Sequence, residues 1–246
     1  MTTPARTETG GPARTPRSEI TSVRKPNRKY EPVLLLDLSG SMDWGAADED
    51  GRAQDFPDPR SRRAIITEAL PHLVRALAKE DSEAATEQAG GSDEQGGLLA
   101  FGFASAPVEI GDLNESNLAR RLGQIQWGGG TAIVPAMKLA LKEYNDEFED
   151  DEDDSRVHLV LVVTDGEASD WHEFEPYLLD ANANRVYVVA IVGHGEAAVR
   201  TANAYTKAAA QNQAADKHGK AHVHVVLFDG VTDPEEIGTD LVTLAA

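Results

Sequence analysis

Asp37-Leu38-Ser39-Gly40-Ser41 places one carboxylate and two hydroxyls within five residues, and Gly40 permits a tight turn between the hydroxyls. Two distant stretches offer oxygens of the same kind. Gly128-Gly129-Gly130 leads into Thr131, and an apolar run ends in Asp165-Gly166. Asp37, Ser39, Ser41, Thr131 and Asp165 contain no sulfur and no imidazole. Such a donor set suits one hard divalent ion, Mg2+, with Mn2+ or Ca2+ as alternatives. The chain has no cysteine, which excludes disulfides, thiolate zinc sites, iron–sulfur ligation and Cys nucleophiles. Each piece alone is ordinary turn chemistry, since Ser, Thr and Asp-Gly all favour strand ends and turns. The weight lies in three pieces occurring together.

Donors so far apart in sequence meet only if regular elements carry them to one place. Pro32–Asp37 and Val157–Thr164 are apolar runs of the kind that form strands buried on both faces. Leu98–Phe103, Val186–Val192 and Val223–Phe228 read as further strands, and Pro107–Ile110 as a short edge strand. Ile66, Leu70, Leu73, Val74 and Leu77 recur at helical spacing, with Pro71 expected to kink that helix or make it start late. Helices are also predicted over Asn114–Gln124, Val134–Tyr144, Trp171–Leu179, Glu196–Ala215 and Pro234–Leu244, with Pro135 suited to a first turn. Asp43–Arg60, Asp81–Gly97 and the acidic Asp146–Asp154 read as loops. Strands alternating with helices predict an α/β fold: a doubly wound, mostly parallel central sheet with one short antiparallel edge strand and helices on both faces. In such sheets ligands gather at the C-terminal strand ends, where all three oxygen-bearing pieces fall.

Asp-Leu-Ser-Gly-Ser-Met at 37–42, the Gly-Gly-Thr loop ending at Thr131 and Thr-Asp-Gly-Glu at 164–167 resemble the von Willebrand factor A domain family, which includes the integrin inserted domains. The order of elements from Tyr30 to Leu244 fits that family as well. The resemblance implies a metal-ion-dependent adhesion site with every position filled: Asp37, Ser39, Ser41, Thr131 and Asp165. It implies that Ser39 and Ser41 bind the ion directly, that Thr131 binds directly or through water, and that Asp37 and Asp165 act mostly through water. Neutral hydroxyl ligands leave the ion electron-poor with an open position, and a carboxylate of a partner protein fills it. The implied function is a non-enzymatic, metal-dependent protein-binding module, an adaptor within a larger assembly. The alternative is a structural subunit whose metal only stabilises loops.

Other chemistries find less support. Leu38-Ser39-Gly40-Ser41-Met42 lacks the Gly-x-Ser-x-Gly of a nucleophile elbow. A phosphotransferase built on Asp37 would be expected to carry a second Asp where Ser39 stands. A metal-dependent hydrolase needs a general base, and Glu167 is the obvious one. His218, His222 and His224 read as a polar strand face rather than a transition-metal site, and His194 as a loop residue near the strand ends. Asp48-Glu49-Asp50-Gly51 does not fit a calcium loop, because Ala46 stands at the first ligand position. Trp44 and Trp127 flank the proposed metal loops and suit either core packing or contact with a partner.

Charge separates the chain into two parts. Residues 1–28 are rich in Thr, Pro, Arg, Ser and Gly and read as a disordered basic tail, with one domain over 29–246. Up to residue 29 there are seven Arg or Lys against two Glu, so the remainder of a chain whose net charge is -19 carries -24. So acidic a body repels phosphate backbones and predicts no nucleic-acid partner. No apolar run reaches the roughly 18 residues of a membrane helix, so no membrane insertion is expected. With cysteine absent and no secretory leader in the sequence, a cytoplasmic location is expected, like that of the family's intracellular members.

Overall fold

A strand that is apolar on both faces needs cover on both, and the two main runs obtain it at the centre of a six-stranded sheet. The fold was analysed in a computed structural model that describes residues 30–45, 61–86, 97–148, 157–228 and 232–244. The basic tail, most of the Asp43–Arg60 loop including Asp48–Gly51, residues 87–96 and most of the acidic loop lie outside the described residues.

The strands are β1 (Tyr30–Asp37), β2 (Leu98–Phe103), β3 (Pro107–Leu113), β4 (Val157–Thr164), β5 (Arg185–Val192) and β6 (Val223–Phe228). Their spatial order is β3-β2-β1-β4-β5-β6. All neighbours pair in parallel except β2 and β3. The strand order therefore reverses between β1 and β4, and the crevice beyond their C-terminal ends is the expected ligand position of a doubly wound sheet.

Alternation along β1 divides the core. Leu34, Leu36 and Leu38 face a layer built by α1 (Arg62–Thr86), α2 (Leu118–Gly123) and α6 (Pro234–Thr243). Val33 and Leu35 face α3 (Val134–Phe148), α4 (Trp171–Leu179) and α5 (Gly195–Ala215). α6 lies close on α1 because Gly238 has no side chain. A Cβ there would stand 2.8 Å from the Ala69 carbonyl oxygen and 2.8 Å from the Leu73 nitrogen.

Several boundaries differ from expectation, each for a local reason. α1 runs unbroken through Pro71 and starts at Arg62, well before the proline. The loss of one ladder hydrogen bond is outweighed by the buried stripe Ile66, Leu70, Leu73, Val74 and Leu77. The same helix continues to Thr86, into the segment expected to be loop. β3 reaches Leu113 because a register shift at Ala100/Phe101, with Gly111 at φ 81°, lets pairing resume beyond the irregularity. The predicted start of α2 is instead a turn. Asn114 accepts from the Ser116 and Asn117 amides at 3.0 and 3.1 Å, which diverts the backbone from helix until Leu118. Asp43 ends a short 3-10 helix, Gly40–Asp43, and Asp146 belongs to α3.

Candidate metal centre

Asp37 is the last residue of β1 and is fully buried. Register continues the pairing Leu36↔Val163 one step so that Asp37 and Thr164 lie side by side on one sheet face. The Thr164 hydroxyl donates to Asp37 Oδ2 at 2.6 Å, and the Ser39 amide donates to Oδ1 at 2.8 Å. Burial first, and then the neighbouring Asp165 carboxylate, lift the Asp37 pKa to about 6 against the pull of these hydrogen bonds.

The turn after β1 brings Ser39 Oγ and Ser41 Oγ to 3.0 Å from each other. The Ser41 hydroxyl donates to Asp165 Oδ1, also at 3.0 Å. A hydroxyl has one proton, so Ser39 donates to Ser41 and keeps both of its own lone pairs unshared within this chain of bonds. Asp165 follows β4, across the reversal of strand order from Asp37. The four side chains expected from the first and third pieces, Asp37, Ser39, Ser41 and Asp165, are thus one connected cluster.

The glycine-rich loop is laid across that turn by its backbone. The Gly128 amide donates to the Leu38 carbonyl at 2.7 Å, and the Gly40 amide to the Gly129 carbonyl at 3.4 Å. Gly128 and Gly129 have φ of 135° and 103°, a region closed to side chains without strain. The Thr131 carbonyl accepts from the Ser169 amide at 2.9 Å, and the Asp170 carboxylate accepts from the Ile133 and Val134 amides at 3.1 and 2.9 Å. Backbone bonds therefore hold Gly128 and Gly129 against the turn, while Thr131, two residues on from Gly129 and half-buried, bonds through its carbonyl to Ser169 and its hydroxyl is not part of the Ser39–Ser41–Asp165 chain. Ser41 is half-buried and Gly128–Gly130 are exposed, so the cluster opens to solvent on that side.

Two contributors were not visible in the sequence. Thr164 belongs to the Thr-Asp-Gly-Glu motif at 164–167, but its hydroxyl's bond to Asp37 is not among the roles the resemblance implies. Arg62, the first residue of α1, donates from Nη1 to Asp165 Oδ2 at 2.6 Å and to the Ser41 carbonyl at 3.1 Å. No local pattern announces it, because the segment before it has no regular periodicity.

The other sites singled out in the sequence do not assemble. His222 is buried and meets Asp216 Oδ2 at 3.4 Å, His224 is half-buried, and His218 is exposed. Among the described residues no group of three or more His, Asp or Glu side chains comes together to hold a metal. An ion at the cluster would therefore depend on hydroxyls as well as carboxylates. Trp44 is 39% exposed, with the Arg62 guanidinium 6.0 Å from its ring centroid. Trp127 is half-buried against the core, with Arg63 at 5.4 Å. His194 and Glu167 are exposed.

The hydroxyl spacing fits a small ion. Adjacent corners of an octahedron are √2 bond lengths apart, about 2.9 Å for Mg2+ and about 3.5 Å for Ca2+. The observed 3.0 Å is also a good hydrogen-bond length, so the metal-free and metal-bound arrangements need little rearrangement between them.

No family model matches the chain, and no curated protein matches it. Solved structures do. A D319A mutant of the PilB minor pilin from Streptococcus sanguinis superposes with a TM-score of 0.56 at 11% identity, over 88% of this chain and 60% of the pilin, so the chain spans less than two thirds of that protein. The SpRpn10 VWA domain gives 0.53 at 11% identity, over 87% of this chain and 93% of that domain. Manganese-loaded TRAP protein from Plasmodium vivax gives 0.50 at 17% identity, over 88% and 72%.

Proposed function

We propose that this chain, whose fold is that of the von Willebrand factor A domains, is a non-enzymatic protein-interaction module that holds one Mg2+ and captures a carboxylate of a protein partner. The observation that carries this reading is the 3.0 Å separation of the Ser39 and Ser41 hydroxyl oxygens between two buried carboxylates. The fold is shared with TRAP, whose solved structure holds manganese. Fold alone does not confer function, so the argument rests on the cluster.

A bound divalent ion would supply an open coordination position for an outside carboxylate. The chain's own residues do the rest. Ser39 and Ser41 present neutral oxygens to the ion. Asp37 fixes the turn through the Ser39 amide and is itself held by Thr164. Asp165 orients the Ser41 hydroxyl, and Thr131 offers a further oxygen from the glycine loop. The exposed Trp44 on the rim gives a partner apolar surface beside the ion. An intracellular setting suits the cysteine-free, acidic composition.

The test is retention of an Asp- and Glu-containing peptide library on the immobilised full chain. Acidic peptides are expected to bind in Mg2+ and to be released by EDTA and by Asp37→Ala. Binding that survives both changes would remove the metal from the mechanism. A melting temperature lowered by EDTA with peptides still bound would support the structural-subunit reading instead.

A further inference from the structure

Arg62 places a fixed positive charge inside the cluster. Its side chain is 9% exposed and that of Asp165 is 3% exposed, so the pair is held largely out of water. Nη1 bridges Asp165 Oδ2 and the Ser41 carbonyl, and the guanidinium lies 6.0 Å from the centroid of the Trp44 ring. Arg62 Nε is buried with no partner among the described residues, which makes Arg62 costly to keep if its role were only to cap a helix end.

We infer that Arg62 sets the charge of the loaded centre: it weakens the hold on the divalent ion and strengthens the hold on the partner's anion. The inference rests on the metal-dependent reading above. Asp37 and Asp165 bring two negative charges, which a divalent ion cancels. Arg62 then leaves the centre with one uncompensated positive charge, and a single carboxylate neutralises it. Without Arg62 the loaded centre would already be neutral, and an arriving carboxylate would gain only its bond to the ion. The cost of Arg62 falls on the empty-to-loaded step, because the ion must enter beside a cation that already occupies one oxygen of Asp165. Across a few ångströms of partly shielded protein such a charge changes affinity by tenfold or more. The partner class this selects is an Asp or Glu side chain, or a chain terminus, rather than a neutral oxygen ligand.

The experiment is calorimetric titration of Mg2+ into the EDTA-stripped full chain, its Arg62→Met variant and its Arg62→Lys variant, each with and without acetate as the carboxylate probe. Arg62→Met is expected to bind Mg2+ about tenfold more tightly than the parent. Arg62→Lys is expected to stay near the parent. Acetate is expected to tighten Mg2+ binding in the parent and in Arg62→Lys, and much less in Arg62→Met. Melting temperatures with and without Mg2+ keep the test open if Arg62→Met is unstable when stripped. A loss that Mg2+ restores supports the inference, because the ion then replaces the missing charge. An equal loss in both conditions, or unchanged or weaker Mg2+ binding by Arg62→Met, overturns it while leaving the metal site intact. No Mg2+ uptake by the parent overturns the underlying reading.

Discussion

His158 on β4 illustrates how a single side chain ties folding to pH. It is buried, stacks on Tyr144 with ring centroids 4.1 Å apart, and its Nδ1 has no hydrogen-bond partner among the described residues. Burial, reinforced by the Arg185 charge, pushes its pKa down to about 3. The unfolded chain takes up a proton at this residue near pH 6.5, and the native chain does not. Stability from this group is therefore complete above about pH 6.5 and falls with acidification, by at most about 1.4 kcal/mol per pH unit, until the native imidazole also titrates. Asp37 acts in the opposite sense, because its raised pKa lets the native state hold a proton that the unfolded state has lost. The difference between the parent and His158→Phe isolates the histidine. In urea melts that difference is expected to shift in favour of the variant from pH 6.5 to pH 4. A constant difference would show that His158 is not buried in its neutral form. The candidate-site residues show what local sequence reveals at this scale. Asp37, Ser39 and Ser41 are close enough in sequence for their contact to follow from one turn. Arg62 and Asp165 meet only through the packing of α1 on the sheet, which no local pattern encodes.

At the scale of elements, the apolar strand runs were the most legible part of the chain. Leu98–Phe103, Val157–Thr164 and Val223–Phe228 have the bounds their apolar runs predict, as does the helix Trp171–Leu179. Less legible were ends decided by tertiary contact. α1 passes through Pro71 because its buried stripe is long, and β3 outlasts its prediction because it can pair with the whole of β2. The close crossing of α1 and α6 was also hidden, since it depends on the absence of a side chain at Gly238. Gly238→Ala is expected to lose about 1–3 kcal/mol, because the added methyl meets α1 backbone rather than a movable side chain. Gly123→Ala, where nothing lies within 4 Å of the added carbon, is the control and is expected to be neutral or slightly stabilising. Equal effects in chemical denaturation would show that the helices are not in close contact.

For the whole molecule, the doubly wound order was predictable from strands alternating with helices, and the reversal between β1 and β4 is what brings Asp37 and Asp165 together. Among the described residues no helix is long and apolar enough to cross a membrane. The charge of -24 beyond residue 29 adds a condition that the site must meet. In the proposed function an acidic partner would approach a molecule that repels it at long range, so attraction has to be concentrated at the opening beside Ser41, where Arg62 stands and the proposed ion would sit. The proposed function depends on an ion seated between the two serine hydroxyls. The direct measurement is a crystal structure of the full chain grown with Mg2+ and repeated with Mn2+ for its anomalous signal. The account predicts one anomalous peak bound by Ser39 Oγ and Ser41 Oγ at about 2.1 Å, with the remaining octahedral positions filled by Thr131, water or a carboxylate. No peak at that position, with the Arg62–Asp165 pair and the serine bonds unchanged at saturating metal, would contradict it.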